Sequence, residues 1–152
     1  MNGRERGHSM LELAATLGVL MLVLAGTVQF GYTFYLYNRL LMAVGEGARY
    51  AAQRSFRAAT PDDVRQGADA IRNMVVYGDP QPAAGARPLV PGLNHDNIEV
   101  KWDYKKTGEP EFVNLAVRNF TVGSFLRTFT FDQRPVVQFP FVGRYAPGER
   151  EP

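Results

Sequence analysis

From Leu13 to Asn38 the chain runs for 26 residues without a charged side chain. Drawn as a helix this stretch is roughly 39 Å long, against a bilayer hydrocarbon core of about 30 Å. Its centre, Leu17 to Leu24, is almost purely aliphatic, and its far end carries Phe30, Tyr32, Phe34, Tyr35 and Tyr37. Rings of this kind favour the boundary between membrane and water. Arg4 and Arg6 precede the stretch, so the positive-inside rule places the N-terminus in the cytoplasm and the bulk of the chain on the other side. A buried core helix can be equally apolar but is rarely this long without a charge. A cleaved secretory signal is the other alternative, because Val23 and Ala25 satisfy the small-residue rule for cleavage after Ala25. Against it, the apolar run continues past Ala25, and Glu12 stands at the entrance to the hydrophobic region.

Glu12 is the most informative residue of this segment. A carboxylate at the edge of a membrane helix costs a few kcal/mol unless it finds a partner or takes up a proton, so it marks function by default. The local string is Arg4-Glu5-Arg6-Gly7-His8-Ser9-Met10-Leu11-Glu12-Leu13. A short polar leader ends in Gly7, and Glu12 is the fifth residue after it, where the hydrophobic run begins. This pattern resembles the processing signal of type IV prepilins, in which a dedicated membrane peptidase cuts after the glycine. The resemblance implies that His8 becomes the mature N-terminus and that Glu12 pairs with the N-terminal amine of a neighbouring subunit. A newly freed α-amino group titrates at about 7.7–8.0 in unperturbed peptides and is mostly cationic at neutral pH. A charge that is unfavourable alone in lipid becomes tolerable when so matched.

The continuation narrows the branch. Phe30-Gly31-Tyr32, then Asn38-Arg39-Leu40-Leu41-Met42-Ala43-Val44, then Gly47-Ala48-Arg49-Tyr50-Ala51-Ala52 resemble the TadE-like family of tight-adherence (Tad) pilus systems. That resemblance covers roughly residues 7–56. Leu13 stands where tight-adherence pilins usually carry an aromatic, and Gly18 where many members carry a proline. The resemblance implies a minor pilin or pseudopilin, with a prepilin peptidase, other pilins, an inner-membrane platform and its assembly ATPase as partners.

The expected organisation is a leader over 1–7, a transmembrane helix over 8–38, its extramembrane continuation over 39–57, and a small periplasmic or extracellular domain over 58–152. The fold class is α+β. Leu41, Val44, Ala48 and Ala51 recur at helical spacing with Arg39, Glu46, Arg49 and Gln53 between them, which carries the first helix to about Phe56. Gly45 and Gly47 mark a point where it could bend. Thr60 as cap, Pro61 at the first helical position and Asp62 and Asp63 in the first turn open a second helix. Val64, Ala68, Ile71 and Val75 form its apolar stripe, and Gly78 ends it. Residues 79–94, with four prolines and two glycines, read as an irregular connector. Ile98, Val100, Trp102 and Tyr104 alternate with polar residues, as do Val113, Leu115 and Val117, so that two strands pair as a hairpin across a turn over 106–110. Residues 122–131 suit a short helix or a loop. Val137, Phe139, Phe141 and Tyr145 indicate a third strand, which Pro140 places at a sheet edge.

Little in the composition points to chemistry. Net charge is +2, from 17 Lys and Arg against 15 Asp and Glu, and no basic stripe interleaved with aromatics appears, which argues against nucleic-acid binding. The chain has no cysteine, which removes disulfides, thiol catalysis, cysteine metal sites and a lipoprotein anchor. His95 reads as a surface loop residue, Glu46 and Arg49 as a solvated pair, and Asn119-Phe120-Thr121 as a chance match to a glycosylation acceptor. No metal cluster, nucleophile elbow or phosphate-binding loop is visible, so neither enzyme activity nor a cofactor is expected. Two functions remain: assembly of a pilus or secretion filament from within the membrane, or a membrane-anchored or secreted periplasmic binding module with no filament role.

Overall fold

The computed structural model describes residues 3–53, 56–58, 61–106, 110–123, 128–142 and 145–147, with side chains described for 7–53, 67–106, 110–123 and 128–142. It is an α+β structure built on one long helix, α1, from Gly3 to Gln53. β1 (Phe56–Ala58) and α2 (Pro61–Tyr77) follow, then the irregular connector and one 3-10 turn at His95–Asn97. The remaining strands are β2 (Ile98–Tyr104), β3 (Pro110–Val117), β4 (Phe120–Gly123), β5 (Thr128–Phe131), β6 (Val136–Pro140) and β7 (Tyr145–Pro147).

The main sheet is antiparallel in the order β2-β3-β6. Its register explains the alternation in the sequence. Leu115 lies between Val100 and Val137, and Val113 between Trp102 and Phe139, so one face collects the apolar side chains. The opposite face is polar: the Glu99 carboxylate accepts from Arg118 Nη1 at 3.1 Å and lies 3.0 Å from Lys101 Nζ. Val113, Leu115 and Val117 are fully buried, as the alternation requires. Pro140 ends β6, which is an edge strand, in keeping with its missing N–H.

The second half of α1 lies on the apolar face of the sheet. The stripe Leu36, Leu40, Ala43, Val44, Ala48, Ala51 and Ala52 is buried, at the three- and four-residue spacing of one helical face. The expected stripe is shifted by one at its start: Leu40 is buried, while Leu41 is 38% exposed at the margin. Arg39, Glu46, Arg49 and Gln53 point outward as expected. α1 is helical through both Gly45 and Gly47. A Cβ at Gly45 would meet nothing, but one at Gly47 would collide with Cγ2 of Val75 on α2 and lie 3.1 Å from Cδ2 of Leu115 on β3. Gly47 is thus a close-approach position at which α1, α2 and the sheet meet.

α2 begins at Pro61 and stops at Gly78, whose φ of 76° is the left-handed conformation glycine adopts freely. Gly78 N–H still donates to the Met74 carbonyl at 2.9 Å. Ile71, Val75 and Val76 are buried; Thr60 and the side chain of Val64 lie outside the described residues. The connector is irregular, yet it contributes Val90 and Leu93 to the core and is tied to α2 by Leu89 N–H donating to the Val76 carbonyl at 2.7 Å. Asn97 holds its far end. Its Nδ2 donates to the carbonyls of Arg118 at 3.1 Å and Asn119 at 3.3 Å, and its Oδ1 accepts from Asn94 N–H at 3.2 Å.

Three expectations are corrected. α1 stops at Gln53, short of Phe56, because Phe56–Ala58 extends and pairs in parallel with Tyr145–Pro147. Tyr145 therefore belongs to β7 and not to the strand that contains Val137 and Phe139. Within 122–131 the described residues are strand and not helix or loop: β4 and β5 pair antiparallel, with Phe120 opposite Phe131 and Val122 opposite Phe129. Those four apolar residues share one face, and Thr121, Thr128 and Thr130 share the other, a period of two that only a strand satisfies. The turn residues 107–109 lie outside the described residues.

Candidate membrane and assembly segment

The first half of α1 stands apart from the domain that its second half helps to build. Met10, Leu11, Leu13, Leu17 and the run from Val19 to Leu24 are each at least half exposed. In the most apolar 18-residue window none of the residues is buried, and the helix is long and apolar enough to cross a membrane. The reason is in the sequence. Past Leu36 the helix alternates small or aliphatic residues with charges and can lie on a sheet; before it the helix is apolar on every side, and no single face can be buried against one domain. Thr16, Thr27 and Thr33 direct their hydroxyls to the carbonyl four residues back, at 2.8, 2.9 and 3.0 Å. These three threonines thus keep their hydroxyl hydrogen bonds inside the helix, as an apolar surrounding demands.

Gly7, His8 and Glu12 lie on α1 and are exposed. His8 and Glu12 are four residues apart and so lie one turn apart on the same side of the rod. Among the described residues, none is placed against Gly7, His8 or Glu12 from another part of the domain. At the other end of the rod, Phe30, Tyr32, Phe34 and Tyr35 remain exposed and form a collar. Arg39 Nη1 donates to Tyr35 Oη at 3.2 Å, and its guanidinium carbon lies 5.8 Å from that ring's centroid. This arrangement fixes a cation just beyond the collar. Tyr37 turns the other way: it is partly buried, with its ring 6.1 Å from that of Phe131 on β5.

Of the residues that read as ordinary surface, Glu46, Arg49 and Asn119 are exposed and His95 is only partly so. Among the described residues, no group of three or more His, Cys, Asp or Glu is placed to hold a metal ion. Glu46 and Arg49 are exposed, and the ion pairs among the described residues are instead Asp69–Arg72, Glu99–Lys101 and Glu99–Arg118. Asn119 is exposed with φ of 48°. His95 is half-buried rather than on an open loop, edge-on to Tyr77 with ring centroids 6.1 Å apart. Sequence reasoning also missed the role of Gly47: a glycine three residues after the buried Val44 gives no distinct signal beside Gly45.

Comparison with known proteins bears on this same segment. Residues 7–49 match the family described as TadE-like protein. The match opens on Gly7, runs along the exposed rod and its aromatic collar, and ends within the small-residue stripe that seats α1 on the sheet. No curated protein and no solved structure matches the chain. Beyond Arg49 the domain therefore stands on its own geometry, and over residues 7–49 the chain is similar to the family described as TadE-like protein.

Proposed function

We propose that this chain is a single-pass inner-membrane protein that a prepilin peptidase trims after Gly7, and that it serves as a minor pilin or pseudopilin in assembly of a Tad pilus or related secretion filament. The carrying observation is an apolar rod left bare by its own domain, within a TadE-like segment and with Glu12 at its end. Fifteen exposed large apolar side chains between Met10 and Tyr35 cannot remain in water. Lipid covers such a rod in the membrane, and the rods of other subunits cover it in a filament, so the same surface suits both states. Glu12 makes the two unequal. In lipid its carboxylate lacks a fixed partner, whereas beside the amine of a neighbouring subunit it is matched. The role is structural and not enzymatic; the partners are the peptidase, other pilins and the membrane platform on which the assembly ATPase acts.

Processing and orientation test this reading. Mature protein from the native host should begin at His8, and Gly7→Val should leave the precursor uncut; mass spectrometry of the N-terminus decides both. A start at Gly26 would indicate secretory signal cleavage, and a retained Met1 a plain anchor. A periplasm-activated reporter fused after Pro152 should be active, because Arg4 and Arg6 hold the N-terminus in the cytoplasm. Activity of a cytoplasm-dependent reporter at the same fusion point would reverse the orientation.

A further inference from the structure

One exposed face of α1 changes chemistry over a short distance. Val28, Tyr32, Tyr35 and Arg39 follow one another at the four- and three-residue spacing of a single helical face. All four are exposed. The column passes from aliphatic to phenol to guanidinium just where Leu36 and Leu40 begin to seat the helix on the domain.

Arg39 is held within this column. Its Nη1 donates to Tyr35 Oη at 3.2 Å, and its guanidinium carbon lies 5.8 Å from that ring's centroid. The side chain therefore reaches back one turn, toward the bare half of the rod. No carboxylate answers its charge among the described residues, where the ion pairs are made by Arg72, Lys101 and Arg118. Glu46, the next acidic residue along α1, is about 10 Å farther along the axis. Tyr35 Oη accepts from Arg39 and so keeps its own proton to donate. Together the two side chains offer one phenolic O–H and the remaining guanidinium N–H groups to an anion.

Depth selects the anion. An upright helix that enters hydrocarbon at Leu13 crosses about 30 Å in about 20 residues and leaves near Tyr32. The headgroup layer beyond is about 5–7 Å thick. The Arg39 backbone, about 10 Å past Tyr32, lies above that layer. Its guanidinium is drawn back to Tyr35, which is only about 4.5 Å past Tyr32, and so falls inside it. Every phospholipid places a phosphodiester in that layer. A planar guanidinium matches phosphate oxygens with two parallel N–H donors, and its weak hydration suits it to a site next to hydrocarbon.

We infer that Tyr35 and Arg39 form a binding site for the phosphate of a phospholipid in the leaflet nearer the domain. This inference rests on the membrane-spanning reading of α1. Arg39 supplies the charge and the fork of donors; Tyr35 lowers the guanidinium into the headgroup layer, orients it and adds a donor. A phosphate held there fixes the height of α1 at the point where the domain begins.

Solid-state NMR of the full chain in phosphatidylcholine–phosphatidylglycerol vesicles tests this, with arginine labelled at the guanidinium carbon. The difference from Arg39→Gln isolates the Arg39 signal. Lipid phosphorus should dephase that signal strongly, and the dephasing should fall several-fold in Tyr35→Ala. Leu20→Cys carrying a bimane fluorophore, in a chain without native cysteine, reports the span through quenching by nitroxides deep in the bilayer. Absence of dephasing at Arg39 with position 20 still quenched overturns the site and leaves the span standing. Loss of quenching at position 20 overturns the span and the site with it. Dephasing unchanged in Tyr35→Ala contradicts the paired site and leaves a lone interfacial arginine. Vesicles of a phosphate-free glycolipid with added inorganic phosphate distinguish the two sources of phosphate. Arg39 should lose its dephasing there; dephasing as strong as in phospholipid would assign the site to free phosphate and contradict the inference.

Discussion

Gly47→Val is expected to destabilise the domain by about 3 kcal/mol or more, whereas Gly45→Ala, two residues earlier on the same helix, is expected to stabilise it by about 0.5–1 kcal/mol. The two glycines are equally poor helix formers, so the difference isolates packing. A Cβ at position 45 meets nothing and brings only the gain in helix propensity. A Cβ at position 47 runs into Cγ2 of Val75, a fully buried β-branched side chain that has no alternative rotamer to retreat to on a helix. Even Gly47→Ala should lose up to about 2 kcal/mol net, since the overpacking penalty of about 1–3 kcal/mol outweighs the propensity gain of about 1 kcal/mol. For a domain of about a hundred residues each kcal/mol corresponds to about 4–8 °C in Tm, so circular dichroism of the full chain in detergent resolves both signs. Val75→Ala should partly rescue Gly47→Ala, because it removes the colliding methyl; the double variant then loses less than the sum of the singles. Equal, small effects at 45 and 47 would mean that α1 does not lie on α2 and β3 as closely as it does here.

That contrast shows where the sequence is legible and where it is not. The rod is legible because 26 uncharged residues admit few structures in any environment. The start of α2 at Pro61 and its stop at Gly78 follow from local backbone chemistry, which the neighbouring residues alone determine. β2 and β3 follow from strict alternation, with only five residues between them in the sequence. What escaped was non-local. Gly45 and Gly47 look alike until Val75 and Leu115 arrive from elsewhere in the chain. The pairing of Phe56–Ala58 with Tyr145–Pro147 joins two three-residue segments from opposite ends of the domain, too short for any periodicity to register. β4 and β5 have the alternation of strands, but each is only four residues long, and Phe125 and Leu126 between them in the sequence obscure it. For the candidate site, Gly7, His8 and Glu12 are proposed on the sequence alone, from a leader, a glycine and a carboxylate at a set spacing before the apolar run, and the structure adds that they lie exposed on α1. The division of the collar, with Tyr37 facing the domain and its four companions exposed, depends on the position of Phe131 and could not be read from the helix alone.

Glu12→Gln is expected to leave membrane insertion and cleavage after Gly7 intact, yet to reduce recovery of partner pilins by about tenfold or more. Gln keeps the size and most of the hydrogen bonding of Glu and loses only the charge. If Glu12 merely reached for the cytoplasmic headgroups, that loss would cost little, because an interfacial amide is easily hydrated. If it neutralises the amine that cleavage creates on a neighbour, the variant leaves that cation unmatched at the edge of lipid, where screening is weak. The domain should be indifferent to the change, since Glu12 is exposed and far along the helix from the first buried residue, Leu36. Unchanged melting of the variant therefore separates an assembly defect from a folding defect.

The most direct test of the assembly role is a zero-length carbodiimide crosslink in native membranes between this chain, isotopically labelled, and unlabelled pilin subunits. Such a reagent joins a carboxylate to an amine only when the two are already paired. The expected product links Glu12 of one chain to the N-terminal amine of a different subunit, and it disappears in Glu12→Gln together with piliation. Absence of that product from piliated cells, with normal pili in the Gln variant, would contradict the pairing and leave Glu12 as an interfacial anchor.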